Sequence, residues 1–261
     1  MPRFTPSSGS RQGSAGRKAA DAALSAALLI AVWKLGASAV GIEMILPAPE
    51  RVAASFAELL RSERFRAALA ATAGRGLAAF GLSMALGSAL GLAMGVSRRF
   101  ESLAWAPLTV IRATPVLAVI LLALVWFPSG AVPVFSAVVM AAPIVAAELA
   151  AAARALDPKL VEMATIFGLS KRQVALELRL PAALPSLSSA AKNALGLSWK
   201  VVVAGEVLSQ PARALGTGMQ NARVMLETAE VFAWAAAGVL LCALSDALFN
   251  AVGRRLSWPT A

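Results

Sequence analysis

The chain has 261 residues, 59% of them apolar, and it carries a formal net charge of +10. Soluble domains are usually about 45–50% apolar, so the composition predicts an all-α membrane protein with several spans and excludes an ordinary soluble domain. Histidine is absent and Cys242 is the only cysteine, which excludes a disulfide within the chain and a metal site built from His and Cys.

Six apolar runs are long enough to cross a bilayer, which takes about 20 residues. A Pro-Ser-Gly turn at 128–130 separates the third and fourth runs and predicts a tight helical hairpin. The first run follows a basic tail and also fits a signal peptide, but its removal leaves five spans. The runs lie near 22–42, 74–96, 103–127, 131–153, 183–207 and 231–252.

The distribution of Lys and Arg predicts the orientation of these spans. With the N-terminus inside, the cytoplasmic segments carry 13 basic residues and the opposite side carries 6. Both termini are therefore predicted to lie in the cytoplasm. Because topology accounts for the positive charge, no nucleic-acid partner is predicted.

Two segments outside the apolar runs have a distinct composition. Residues 1–20 are polar and predict a disordered cytoplasmic tail, which leaves 21–258 as one transmembrane domain. Residues 49–72 have one apolar and one charged side, which predicts a helix outside the membrane or along its surface. Two roles are possible for this helix: a connector without a further function, or a contact for an external partner.

A polar, charged segment at 154–182 separates the fourth and fifth spans. Capping and breaking residues divide it into two predicted short helices, over 159–167 and 171–180, with a glycine corner between them. Apolar residues at i, i+3, i+4 and i+7 give the first helix an apolar face. The residues behind these predictions are the start signal Asp157-Pro158, the apolar Leu160, Met163, Ala164 and Phe167, the corner Gly168, the cap Ser170 and the breaker Pro181.

The spacing inside this segment resembles the cytoplasmic EAA loop of permease subunits in ABC importers. It reads Glu162-Met163-Ala164, three residues, Gly168, nine residues, and Leu178-Arg179-Leu180-Pro181. Other motifs over 45–258, among them Arg112-Ala113-Thr114-Pro115 and Trp199-Lys200, are similar to the nitrate, sulfonate and taurine type of this family. The resemblance implies a type I (methionine-importer-like) permease fold with six transmembrane helices and cytoplasmic termini, in a bacterial cytoplasmic (inner) membrane.

In that family the loop docks onto a separate ATPase, so the resemblance assigns ATPase coupling to 158–181. The implied coupling residues are Asp157, Glu162, Met163, Ala164, Phe167, Gly168, Leu169, Ser170 and Pro181. The chain has no G-x-x-x-x-G-K-[ST] motif, so it is not expected to be the ATPase itself or to bind a cofactor. A membrane-embedded enzyme is not expected either, because the chain has no His and no Ser/Lys or paired-carboxylate constellation at recognisable spacing. The resemblance implies two partner ATPase subunits that carry ATP and magnesium, a second permease copy in a homodimer, an extracytoplasmic substrate-binding protein and the lipid membrane.

Charged residues inside the spans are costly and usually mark function or pairing. The candidates for a translocation pathway are Arg112, Pro115, Trp199, Lys200 and Glu206. Arg112 and Lys200 suit a small polar or anionic solute, and Glu148 is placed to pair with Lys192. Structural ion pairs explain these charges equally well, and both interpretations remain open.

Three glycines recur at every fourth position of the second span, at Gly87, Gly91 and Gly95. They predict a smooth helix face for close packing. An alternative function for the whole chain is a secondary transporter with intramembrane charge coupling. That class is built from internal repeats with broken helices, which the halves 22–127 and 131–252 do not display.

Overall fold

The structure is a computed structural model that describes residues 11–256; at 11–16, 18–19, 158, 165, 171, 180, 184, 252 and 254–256 it describes the backbone alone. All regular structure in the described chain is helical, as the composition predicts. The helices are α1 (Arg11–Val40), α2 (Pro49–Arg61), α3 (Glu63–Val96), α4 (Arg98–Ala113), α5 (Val116–Trp126), α6 (Val132–Arg154), α7 (Pro158–Ile166), α8 (Lys171–Gln173), a π-helical turn (Val174–Arg179), α9 (Leu180–Ser209), α10 (Leu215–Val224) and α11 (Thr228–Leu256).

Helices α3, α6 and α9 form the core of the molecule. Along α3, successive glycines meet successively later residues of α6, so these two helices run parallel. α9 runs antiparallel to both, since its late residue Gly205 meets Pro133 at the start of α6. Alanine and valine fill the space between the three helices, including Ala137, Ala141 and Val145 of α6, which are fully buried. Small side chains permit this close approach of the backbones.

Four helices are long and apolar enough to cross a membrane, namely α1 from Ala20 onward, α3, α6 and α11 as far as Ala251. Helices α4 and α5 meet the criterion only as a pair and are bent by 99° at their junction. The predicted run 103–127 is therefore not a single helix. Pro115 lies at the break, where it lacks an N–H and its ring crowds the carbonyl four residues earlier.

The N-terminal helix lies largely outside the core. Almost none of its apolar window is buried in the chain. It is fastened near its end by Trp33, which stacks on Phe232 with ring centroids 5.6 Å apart and donates a hydrogen bond to the Pro47 carbonyl. α1 begins at Arg11, inside the tail expected to be disordered, and residues 1–10 of that tail lie outside the described residues.

The predicted surface helix over 49–72 is divided in two at Ser62. α2 is a separate amphipathic helix, and the residues from Glu63 onward belong to α3. The apolar side of both parts turns inward, where Phe65 is fully buried and packs against Phe56 and Trp234. α10 is a further short helix between α9 and α11, in a segment where the sequence predicts only a connection.

Candidate functional site

Helix α7 has the start and end that its sequence predicts. The Asp157 carboxylate accepts a hydrogen bond of 2.9 Å from the Lys159 N–H at the helix start. At the other end Gly168 has φ +80°, and the Leu169 N–H bonds back to the Ala164 carbonyl at 3.0 Å. This is the left-handed termination that glycine adopts without steric cost.

Ser170 caps the next helical segment through a reciprocal pair of hydrogen bonds. Its hydroxyl accepts from the Gln173 N–H at 3.3 Å, and the Gln173 side-chain oxygen accepts from the Ser170 N–H at 2.9 Å. Such a capping box satisfies two backbone donors at once. The corner between α7 and the following helix is thereby fixed from both sides by local sequence.

The second short helix predicted over 171–180 does not exist as a separate unit. α8, the π-helical turn and α9 follow one another without a break from Lys171 to Ser209. Pro181 therefore lies inside a continuous helical run instead of marking its start. The π-helical turn directly precedes it, and the wider π spacing accommodates a residue that cannot donate a backbone hydrogen bond.

Four large apolar side chains of α7 and its end are exposed in the described part of the chain. Ile166 and Phe167 are 84% and 76% exposed, and Leu160 and Met163 are also exposed. Ala164 is only 4% exposed and faces the protein. Asp157, Glu162 and Pro181 are exposed, and Leu169 is half-buried. The sequence pattern missed Ile166, because it lies outside the i, i+3, i+4, i+7 series.

Contacts with the ends of the core helices hold this segment in place. Val174 is buried, and the Arg179 guanidinium donates to the Gly95 carbonyl near the end of α3. An ion pair between Arg154 and Glu101 joins the end of α6 to the start of α4. The segment is therefore attached to three core helices, through its anchor on α3, its origin in α6 and its continuation into α9.

At the opposite end of α9, Glu206 is fully buried in a hydrogen-bonded junction. Its carboxylate accepts from the Thr72 hydroxyl at 2.9 Å, from the Arg75 guanidinium at 2.6 Å and from the Gly216 N–H at 3.2 Å. The Leu215 N–H in turn donates to the Thr72 hydroxyl at 3.0 Å. We call these residues the Glu206 junction; it ties α3, α9 and the start of α10 together.

The pathway candidates do not form one cluster. Trp199 is 3% exposed and packs over Gly76, where an added Cβ would lie 2.2 Å from the indole ring. Glu206 is buried in its junction, whereas Arg112, Pro115 and Lys200 are exposed. The charge pattern of the sequence does not identify Thr72 and Arg75 as partners of Glu206. Their i, i+3 spacing near the start of α3 is the signal that points to them.

Glu148 of α6 bonds to α9, although not through Lys192 as the sequence suggested. Its carboxylate accepts from the Asn193 side chain at 2.9 Å and from the Ser189 hydroxyl at 3.4 Å. Lys192, one position before Asn193, is exposed. Among the described side chains, Lys192 forms no ion pair.

The three glycines of α3 lie directly against α6. An added Cβ would come within 2.7 Å of the Ala142 carbonyl at Gly87, within 2.7 Å of the Ala146 carbonyl at Gly91 and within 2.6 Å of the Ala153 Cβ at Gly95. Any side chain larger than hydrogen would push the two helices apart.

The chain is similar to known transport proteins over most of its length. Residues 83–258 match the family described as "Binding-protein-dependent transport system inner membrane component". The "Putative aliphatic sulfonates transport permease protein SsuC" of Bacillus subtilis is 28% identical over 232 residues, covering 88% of this chain and 84% of that protein. The Escherichia coli protein of the same name is 34% identical over 203 residues, covering 77% and 76%.

Among solved structures, a bacterial ABC transporter involved in the import of the acidic polysaccharide alginate has a chain with a related fold. The TM-score is 0.60 at 19% identity, and the match covers 91% of this chain and 97% of that one. This likeness supports the predicted fold class. It carries no information on substrate at such low identity.

Proposed function

Because the chain belongs to the family of binding-protein-dependent transport system inner membrane components, we propose that α7 is the site through which ATPase subunits drive its transport cycle. The chain itself is a multi-pass membrane permease component of an ABC importer. The observation that carries the proposal is the exposed apolar surface of Leu160, Met163, Ile166 and Phe167.

We propose six spans with both termini in the cytoplasm. The broken pair α4 and α5 supplies the third span, and α9 supplies the fifth. α9 has 30 residues, about 45 Å at 1.5 Å per residue, which exceeds the thickness of the hydrocarbon core. Its polar residues, among them Lys192 and Lys200, lower its hydropathy, as is expected of a helix that faces water or protein instead of lipid.

In this arrangement α7 lies in the cytoplasm as the contact for two ATPase subunits, one for each permease copy of a homodimer. Large exposed apolar side chains on a short helix can become buried in a groove of a partner protein. The capped corner at Gly168 and the continuous path into α9 support transmission of a rigid-body movement to the spans. ATP and magnesium bind to the partner subunits.

A substrate-binding protein delivers the solute at the extracytoplasmic side. We propose a small anionic or polar solute, such as a sulfonate, since the relatives are described as aliphatic sulfonate permeases. The exposed Arg112 beside the α4–α5 break, Pro115 at the break and Lys200 of α9 remain candidates for the pathway wall. Trp199 and Glu206 are assigned structural roles because they are buried between helices.

The substitution Phe167→Ala tests the coupling assignment. We expect loss of ATPase co-purification and of ATP-driven uptake into proteoliposomes that contain the ATPase and the binding protein. The affinity should fall about tenfold to a hundredfold, because a large apolar side chain contributes about 1.5–3 kcal/mol when buried. The matched control is Val224→Ala, which truncates an apolar residue, 67% exposed, at the end of α10.

Two results would contradict this proposal. One is unchanged ATPase binding and uptake by the Phe167→Ala variant. The other is uptake by the wild-type permease in the absence of the ATPase, driven by an ion gradient, which would identify a secondary transporter.

A further inference from the structure

One face of α9 is polar and exposed along the middle of the proposed fifth span. It consists of the exposed Ser189, Lys192, Asn193 and Lys200 and the half-buried Gly196 between them, which we call the α9 stripe. At 100° per residue these positions fall within about 100° of one another around the helix. The adjoining apolar helices do not cover the stripe within the described chain. A charged stripe of this kind is incompatible with contact to lipid tails.

Lys192 is the residue whose position is hardest to reconcile with a single copy of the chain. It lies 12 residues after the start of α9, about 18 Å along the helix from its cytoplasmic end. The side chain therefore lies within the proposed fifth span. An ammonium group at such a depth requires a carboxylate, several polar partners or water.

The Glu148 carboxylate lies at the level of Lys192 and can accept further hydrogen bonds. Asn193 and Ser189 together supply two hydrogen bonds to it, and a carboxylate accepts about four. These two bonds hold the carboxylate against the α9 stripe, one helical position from Lys192. The fold thus places an anion and a cation side by side at one level, and among the described side chains the two are not joined in an ion pair.

Resting on the homodimer of the proposed function, we infer that the part of the α9 stripe around Lys192 is a contact between two permease copies, in which Lys192 pairs with the partner subunit's Glu148. Both copies insert in the same orientation, so their two-fold axis runs along the membrane normal. Rotation about that axis preserves depth, and residues at one level in one copy meet residues of the same level in the other. Each dimer therefore contains the pair twice.

The charge pattern favours a second copy over other occupants. A self-complementary two-fold contact requires both signs of charge on one face at one depth, which Glu148 and Lys192 provide. A solute that bound Lys192 alone would need no neighbouring carboxylate, and an anion would be repelled by it. Lys200 lies about two helical turns further out, near Cys242 of α11, and is left available to the pathway.

Charge reversal tests the inference in the assembled transporter. Glu148→Lys and Lys192→Glu are each expected to reduce the dimer fraction and ATP-driven uptake by about tenfold or more, because they place like charges opposite each other. The double variant is expected to recover both to within about twofold. The matched control combines Glu148→Lys with Lys200→Glu, whose charges lie at different depths, and its dimer fraction should not recover.

Cross-linking keeps the inference testable if the reversed variants fail to fold. Two differently tagged copies are co-expressed in the Cys242→Ala background, one with Glu148→Cys and the other with Lys192→Cys. We expect an intersubunit disulfide, and none when Lys200→Cys replaces Lys192→Cys. Absence of the disulfide, or no recovery in a folded double variant, overturns the inference.

These outcomes are separable from failure of the proposed function. If wild-type complexes transport with ATP while the double variant stays impaired and no disulfide forms, only the Lys192–Glu148 contact is wrong. If the disulfide forms but uptake does not depend on ATP, the contact stands and the importer assignment is wrong.

Discussion

At the scale of single residues, Glu206 is the one charged residue that is buried in the described part of the chain. Its side chain has no exposure and Arg75 has 17%, so the carboxylate and guanidinium depend on each other and on Thr72 for solvation. The Gly216 N–H at the start of α10 completes the set. A buried carboxylate with this many donors is well satisfied, whereas either charge alone would be costly.

Glu206→Gln is predicted to destabilise the folded permease by about 3–5 kcal/mol, because it leaves the Arg75 charge without a counterion. Thermal unfolding in detergent measures the effect. Glu43→Gln is the control, since its ion pair with Arg51 is exposed on both sides and contributes less than about 1 kcal/mol. Equal shifts for the two variants would contradict the structural role of the Glu206 junction.

At the scale of helices, the contact between α3 and α6 depends on the absence of side chains at three positions. Gly91→Ala is predicted to cost about 1–3 kcal/mol by overpacking against Ala146 and Leu149. Gly81→Ala is the matched control on the same helix, because an added Cβ there meets nothing within 4 Å. It should be neutral or stabilising by up to about 1 kcal/mol. Thermal unfolding separates the two.

The attachment of α1 to α2 is predicted to depend on pH. The side-chain hydrogen bond from Lys34 lowers the pKa of Glu50, so the pair stabilises the attachment at pH above the ordinary glutamate pKa of about 4.3. The contribution is lost as pH falls through the lowered pKa. Spin labels at positions 35 and 54, in a Cys242→Ala background, report the distance between α1 and α2. The distribution of this distance should broaden only when the pH falls below the ordinary glutamate pKa.

Glu50→Gln provides the control for this pH response. It removes the titrating group, so the label distance should no longer change in that range. A response at neutral pH, or an unchanged acid response in the variant, would show that another group controls the attachment.

Helix α7 shows how local and tertiary effects combine at the same scale. Its two ends are fixed by Asp157, Gly168 and Ser170 through hydrogen bonds to nearby backbone, which sequence alone predicts. The π-helical turn that continues into α9 carries Arg179, which makes a long-range contact with Gly95. Capping signals do not reveal such a contact.

At the scale of the whole molecule, α1 is peripheral and the core of α3, α6 and α9 carries the packing. Replacing residues 1–40 with a cleavable signal peptide, which leaves the new N-terminus outside, is predicted to change the melting temperature by only about 2–4 °C. A shift of this size corresponds to about 1 kcal/mol in a protein of this length. Fluorescence of the buried Trp234 reports the transition, and a much larger shift would show that α1 is part of the core.

The sequence by itself determined the composition class, the positions of most helices and the ends of α7. These features follow from apolar run length and from residues within a few positions of each other, such as Asp157 and Lys159. It also supplied Gly87, Gly91 and Gly95 as a small-residue face, although not the identity of the opposing helix. The match to the family of inner membrane components agrees with the resemblance carried by Glu162 to Pro181.

Only the tertiary structure decided which polar residues inside the spans meet. Glu206 joins Arg75 and Thr72, and Glu148 joins Asn193, across more than 40 residues of chain in each case. The sequence is compatible with many different pairs of polar side chains. A periodic pattern predicts which face of a helix is apolar, but it does not predict which helix packs against that face. The break at Pro115 has a similar origin: proline predicts a kink, whereas the 99° bend between α4 and α5 depends on what each helix packs against.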